Sequence, residues 1–452
     1  MNKVLAINGG SKAITEKAPS WPKVGEEEIR AVQEALRKSS EDARYLTAAQ
    51  GGGPMEEFEK AFAEYIGVKY AVSTNGGTAA LHIALMAVGV EVGDEVICPS
   101  YTWVQSAGCI LHQNGIPIYA DIDPRTYNLD PNAIEDKITE KTKAIIAVHL
   151  YGQSADMDPI MEIAEKHNLM VIEDAAQAAG ATYKGRKVGS IGHIGCFSIG
   201  DGKQFVGGEG GVVVTDDENL FDKTILVGMH SMRQERDLKN EEMKKWIDCL
   251  GYNYRIHPLA AVIANVQLKY LDRWNEERRE NAHYLSQKLE RISAIRPPYE
   301  DPNCKHVFHS YSPTYVPEEL DNIPRDCFVN ALRAEGVSAT PYVDLPIHLR
   351  RMHQEREFFY GKHFPWSSKF ARKGIEYKKG DCPVTEKRCE REELNMGSSG
   401  WIGDKTNLLE QYAEAFRKVV GHPDEIPRDY TRPGKKDPLS WRPLWAIDSA
   451  RR

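Results

Sequence analysis

Between residues 69 and about 250 the chain alternates short apolar runs with helical stretches, and few folds accept that pattern. The runs lie at 70–73, 95–98, 116–120, 144–148, 169–172, 195–198 and 211–215. They are continuously apolar rather than alternating, so both faces of each strand must be covered. Strands separated by helices that cover them build an α/β fold with a largely parallel sheet. In such sheets ligands bind beyond the carboxyl ends of the strands. That rule picks out Asn75, Ser100, Asp121, His149, Asp174 and Ser198 as the edge where a site belongs.

With 452 residues the chain exceeds one core of ordinary size, so two domains are expected. Residues 1–255 read as an N-terminal arm and a large domain. Within the arm, residues 26–37 have helical spacing. The break Gly51-Gly52-Gly53-Pro54 precedes a second amphipathic helix through Met55, Phe58, Phe62 and Ile66. Residues 256–421 read as one long helix, from Pro258 to about Ile292, followed by a smaller α/β domain. Inside that unit, residues 350–400 are charged and aromatic with few periodic runs, which suggests an insertion or long loop. Residues 422–452 form a polar tail rich in Pro, Asp and Arg.

Composition excludes several partners. Hydrophobic residues make up 41% and the net charge is −8, which disfavours nucleic acid and anionic membrane surfaces. The apolar stretch Val4-Leu5-Ala6-Ile7 is shorter than a signal peptide requires and no run is long enough to span a bilayer, so a cytoplasmic enzyme is expected. The 8 cysteines are Cys98, Cys109, Cys196, Cys249, Cys304, Cys327, Cys382 and Cys389. Their scattered spacing fits reduced thiols, with no zinc site and no disulfide framework.

Chemistry concentrates after the strands. Lys203 sits in the glycine-rich run Ser198-Ile199-Gly200-Asp201-Gly202-Lys203, and Asp174 ends the apolar run 169–172 within Glu173-Asp174-Ala175-Ala176-Gln177. A lysine amine able to form a Schiff base and an acid able to hold a pyridine nitrogen protonated are the minimum apparatus for pyridoxal phosphate chemistry. An acid at the end of a buried strand needs a partner, and a pyridinium N–H provides one. Asn75-Gly76-Gly77-Thr78 opens a helix, where free N–H groups and glycines suit a phosphate. Trp103, after the next strand, can stack on a flat ring. Alone, each motif has a plainer explanation: a helix cap, a core tryptophan, a solvated lysine. Their conjunction in one α/β unit favours the cofactor site.

These motifs, with Pro99-Ser100-Tyr101-Thr102-Trp103, Gly208-Glu209-Gly210-Gly211 and Gly251-Tyr252-Asn253-Tyr254-Arg255, resemble the DegT/StrS family of pyridoxal-phosphate-dependent sugar and cyclitol aminotransferases. The resemblance covers roughly residues 5–350 and 380–420. It implies an aspartate-aminotransferase-like fold (fold type I) with a seven-stranded, mostly parallel sheet in the large domain. It implies that Lys203 carries the cofactor and shuttles a proton, Asp174 holds the ring nitrogen, Gln177 the phenolic oxygen, and Trp103 stacks on the ring. Gly77, Thr78 and Ser198 would hold the phosphate, and Asn253 would reach the neighbouring subunit's phosphate in a homodimer. Lysine at position 203 supports transamination, where dehydratases of the family carry histidine. Leu5-Ala6-Ile7-Asn8-Gly9-Gly10 and Gly51-Gly52-Gly53-Pro54 look most like the glutamine:inosose branch.

The expected activity is therefore a ping-pong transfer, through pyridoxamine phosphate, of an amino group from L-glutamine or L-glutamate to a keto-sugar or keto-cyclitol in aminosugar or aminoglycoside biosynthesis. Two alternatives stand beside it. One is another reaction on the same cofactor: a dehydratase, an oxidase or an aminohydroxybenzoate synthase. The other is a non-catalytic, cofactor-binding regulator, whose expected helix-turn-helix domain is missing from the sequence. Arg350, Arg351, His353, Trp366 and Lys369 in the 350–400 stretch could meet a phosphate or nucleotide, although a solvated loop is the plainer explanation of them.

Overall fold

The apolar runs pair edge to edge because each can bury both faces only inside a sheet. They form β1 (Tyr70–Thr74), β2 (Glu95–Pro99), β3 (Ile116–Ala120), β4 (Thr142–Val148), β5 (Met170–Asp174), β6 (Ile194–Ser198) and β7 (Gly211–Thr215) of one seven-stranded sheet. The structure, a computed structural model, describes residues 4–47, 49–247, 251–357 and 361–431. The tail expected at 422–452 therefore lies mostly outside the described residues, as does Cys249; the other cysteines are free thiols.

The strand order is β1-β7-β6-β5-β4-β2-β3. Strands β3, β2, β4, β5 and β6 pair in parallel, while β7 runs antiparallel to both β6 and β1. The reversal has a local cause. The connection from β6 to β7 has no helix to carry the chain across the sheet, so it returns beside its own strand. That connection carries Lys203.

The helices of this half are α1 (Glu26–Glu41), α2 (Pro54–Ile66), α3 (Gly77–Ala87), α4 (Gln105–His112), α5 (Met157–Lys166) and α6 (Glu218–Gly228). Helix α3 has no polar stripe and is buried from Ala79 through Leu85, as an all-apolar helix must be. Ile97, Ile145, Ile146, Val171 and Ile172 of the sheet are wholly excluded from solvent, each worth about 1.5–3 kcal/mol of transfer free energy.

The helix expected from Pro258 to Ile292 is two helices, α7 (Pro258–Leu268) and α8 (Leu271–Leu289). No proline or glycine marks the break. Helix α7 packs on α1 and α2, whereas α8 turns away to a second core. At the junction Lys269 and Tyr270 are both bonded to Glu27 of α1, so the helix changes partner there. The second core takes Ala282 and Leu285 from α8, Phe328 and Leu332 from α9 (Arg325–Ala334), and Leu409 and Phe416 from α10 (Thr406–Val420). The N-terminal arm reaches this same core: Leu5 and Ile14 are buried in it, and Glu335 accepts from the Ala6 and Ala13 amides at 2.8 and 3.0 Å.

The stretch 350–400 is no loose insertion in the smaller domain. Ile375, Tyr377, Cys382 and Cys389 are buried in the large-domain core. The segment is pinned across the carboxyl ends of β2 and β3. Ser100 Oγ meets His348 Nδ1 at 2.7 Å, Tyr119 Oη meets His353 Nε2 at 2.6 Å, and Asp121 accepts from the Val384 and Thr385 amides at 2.8 and 2.9 Å. His353 is buried against Tyr377 and Trp366, and its pKa falls to about 3 through burial and the nearby Arg350. Arg351 lies on the surface beside Glu355, and the Lys369 ammonium lies over the Phe370 ring.

Candidate active site

The parallel strands end on one edge of the sheet, and the side chains singled out from the sequence gather there. Asp174 is the last residue of β5 and is 5% exposed. Its carboxylate does not stand alone: Oδ2 accepts from Ser106 Oγ at 2.7 Å and Oδ1 from the Ala176 amide at 3.1 Å. Its charge raises the pKa of the buried thiols Cys109 and Cys196, adding to the effect of their burial. Ser106, in the first turn of α4, escaped the sequence reading. A serine in a helix's first turn is too common to signal anything, and this one meets Asp174 across 68 residues.

Lys203 feels both burial and Asp174. Burial pushes its amine below the ordinary lysine value, against the opposing pull of the Asp174 carboxylate. The loop that carries it is held from several sides. Trp21 of the arm donates Nε1–H to the Lys203 carbonyl at 2.7 Å, Arg278 of α8 donates to the Gln204 carbonyl at 2.9 Å, and Ser399 donates to the Gly202 carbonyl at 2.8 Å. His309 lies close enough for the Lys203 charge to matter. Burial first, then Lys203 and Arg278, hold its imidazole well below the usual histidine range, so it is neutral. Its Nδ1 is buried without a hydrogen-bond partner among the described residues.

Gly77 begins α3 directly against β6. A Cβ at that position would stand 2.9 Å from Ser198 Cβ, so only glycine lets the helix start this close to the strand end. No side chain caps the helix, which leaves the amides of Gly77 and Thr78 available at its positive end. Thr78 is exposed and Ser198 half-buried beside them.

Trp103, on the loop before α4, is 36% exposed, and its ring centroid lies 6.3 Å from that of Tyr342. Gln177 is 4% exposed and donates Nε2–H to the Tyr342 hydroxyl at 2.7 Å. Asn253 stands apart from these groups. It is exposed, and its Oδ1 accepts from Arg255 Nε at 2.6 Å. Its loop nevertheless adjoins the phosphate-suited end of α3, because the Asn75 amide donates to the Tyr254 carbonyl at 2.7 Å.

Next to the site, Glu173 is fully buried. Burial alone would raise its pKa, but hydrogen bonds from His149 and from the Gly189 and Gly192 amides hold it below the usual range. This carboxylate shapes the 189–192 loop and faces away from Asp174, as consecutive strand residues do.

A half-buried lysine of lowered amine pKa, a fixed carboxylate, a flat aromatic surface and an uncapped helix start are the donor set for a phosphorylated pyridine. The residues fit pyridoxal phosphate. Among the described residues no helix is long and apolar enough to cross a membrane.

The sequence profile of the DegT/DnrJ/EryC1/StrS aminotransferase family matches residues 22–391. The GDP-perosamine synthase of Caulobacter vibrioides is 42% identical over 294 residues, covering 65% of this chain and 76% of that protein. The L-glutamine:2-deoxy-scyllo-inosose aminotransferase of Streptomyces lividus is 33% identical over 439 residues, covering 93% of this chain and 99% of that one. Among solved structures, 3-amino-5-hydroxybenzoic acid synthase superposes with a TM-score of 0.75 at 26% identity, covering 90% of this chain and 99% of that chain.

Proposed function

The chain belongs to the DegT/DnrJ/EryC1/StrS aminotransferase family and is a pyridoxal-phosphate-dependent enzyme; from that premise we propose that it moves an amino group from L-glutamine or L-glutamate to a keto-cyclitol or keto-sugar. The observation that carries the reading is a half-buried Lys203, its pKa lowered, near enough to the fixed Asp174 carboxylate to feel its charge. When bound, pyridoxal phosphate supplies an electron sink and carries the amino group between the two half-reactions.

The roles of the chain's own groups follow from their chemistry. Lowering the Lys203 pKa raises the fraction of neutral amine, the form able to attack a carbonyl carbon and to accept a proton from the substrate carbon. Asp174, oriented by Ser106 and the Ala176 amide, would hold the cofactor's ring nitrogen and favour its protonated form. The first-turn amides of α3, with the Thr78 and Ser198 hydroxyls, would anchor the phosphate. Trp103 would cover one face of the ring and exclude water from it. Full-length similarity to an L-glutamine:inosose aminotransferase favours a polyhydroxylated ring ketone as acceptor and glutamine as donor.

The donor half-reaction tests this. Adding L-glutamine to the cofactor-loaded protein is expected to bleach the cofactor's visible absorbance band, as is L-glutamate for the nucleotide-sugar alternative. A band that neither amino acid discharges would move a different reaction on this cofactor to the front. Similarity to 3-amino-5-hydroxybenzoic acid synthase makes that the second reading.

We also propose a homodimer in which Asn253 serves the partner's phosphate. Its exposure, next in the chain to the exposed Tyr252, supports this. Sedimentation is expected to give a dimer, and Asn253→Ala to weaken cofactor retention about tenfold, the loss of roughly one hydrogen bond to a charged group. A fully active monomer would remove the proposal.

A further inference from the structure

Gln177 is held at both ends of its amide. Oε1 accepts from the Tyr151 backbone N–H at 2.9 Å, and Nε2 donates to the Tyr342 hydroxyl at 2.7 Å. A backbone N–H can only donate, so the atom facing it must be the oxygen, and the amide has one orientation rather than two. The nitrogen keeps a second hydrogen beyond the one given to Tyr342.

Both partners lead to one carboxylate. Glu393 is wholly buried; it accepts from the Tyr342 amide through both oxygens, at 2.8 and 2.9 Å, and from the Tyr151 hydroxyl at 3.3 Å. Tyr151 also meets the Tyr101 hydroxyl at 2.6 Å and sits at φ +58°, in the left-handed region that side chains seldom adopt. Such a conformation persists only where surrounding bonds impose it, and it clusters at sites whose geometry matters. Arg325, 3.7 Å from the Glu393 carboxylate, supplies the opposite charge. Burial nevertheless raises the Glu393 pKa to about 7, a free-energy cost that packing alone would not require.

We propose that Tyr342 is a positioning residue for Gln177, and that Glu393, by holding Tyr342 and Tyr151 together, keeps the Gln177 amide presenting its nitrogen to the cofactor's phenolic oxygen. The proposal rests on the reading that Gln177 faces that oxygen. Presenting the amide oxygen instead would set one acceptor against another, so the orientation decides the sign of the interaction. Tyr342 and Glu393 need not touch substrate to act this way.

The test is a pH titration of the bound cofactor's absorbance band in the holoenzyme and in Gln177→Ala, Tyr342→Phe, Glu393→Gln and Gln177→Ala/Tyr342→Phe variants, with thermal unfolding of each recorded alongside. A donor to the phenolic oxygen favours the deprotonated chromophore, so its loss raises the titration midpoint. Tyr342→Phe, which keeps the ring, is expected to raise the midpoint by roughly half a pH unit or more. Gln177→Ala is expected to shift it the same way, and the double variant no further than Gln177→Ala. Glu393→Gln is expected to follow Tyr342→Phe; should it fail to fold, Tyr342→Phe alone decides. A Tyr342→Phe band that titrates as wild type while Gln177→Ala shifts would overturn the positioning role. A Gln177→Ala band that does not shift would overturn the underlying assignment of Gln177.

Discussion

Lys203→Ala is expected to leave a folded protein whose turnover falls by at least about 10⁴-fold, because nucleophile and proton carrier disappear together. The protein should still collect pyridoxal phosphate through Asp174, Trp103 and the start of α3. The cofactor would then be removable by dialysis, and borohydride would no longer fix it to the chain. Trp21 contacts the Lys203 carbonyl rather than its side chain, so the loop keeps that anchor in the variant. The thermal transition is accordingly expected to stay close to wild type. Burying the lysine lowers its amine pKa, so the wild-type fold loses stability as pH falls below the unfolded-state lysine value and the amine must be charged. The alanine variant lacks that penalty. Labelling of some lysine other than Lys203 in the intact protein would refute the assignment.

Asp174→Asn is expected to keep the fold and lose about 10²–10³ in kcat, the scale for removing one preorganised electrostatic partner. The neutral amide can keep its oxygen on the Ala176 N–H and turn its nitrogen toward Ser106 Oγ, a hydroxyl that can accept as well as donate, so the surroundings have no reason to collapse. What disappears is the negative charge proposed to keep the ring nitrogen protonated. The bound cofactor's absorbance maximum should move as well, giving a readout independent of turnover. A near-normal kcat in this variant would end the role proposed for the carboxylate.

How far the sequence discloses this molecule depends on what kind of force shapes each part. The strands were legible because continuous runs such as 144–148 have no alternative to burial on both faces. Lys203, Asp174 and Gly77 were legible because each sits at a fixed offset from such a strand. The break after Leu268 was not, since the apolar spacing runs on and only the change of packing partner marks it. The 350–400 stretch misled for another reason. Its buried groups, among them His353, Tyr377 and the neighbouring His348, are held by hydrogen bonds to Ser100 and Tyr119 and by ring contacts, which have no period to read. Tyr342 and Gln177 are 165 residues apart, and Tyr151 and Glu393 are 242 apart. Nothing local announces a bond of that separation.

The anchoring of the lysine loop bears on how the protein is made. Trp21, Arg278 and Ser399 hold it, and Leu5 of the arm donates its amide to Glu425 at 2.7 Å. On the ribosome the sheet and the lysine emerge well before Ser399 does. A nascent chain can therefore pair β6 with β7 early, but the loop gains the Ser399 anchor only after residue 399 has left the exit tunnel. A chain that stops short of residue 399 keeps the Trp21 and Arg278 anchors of the lysine loop and lacks the third.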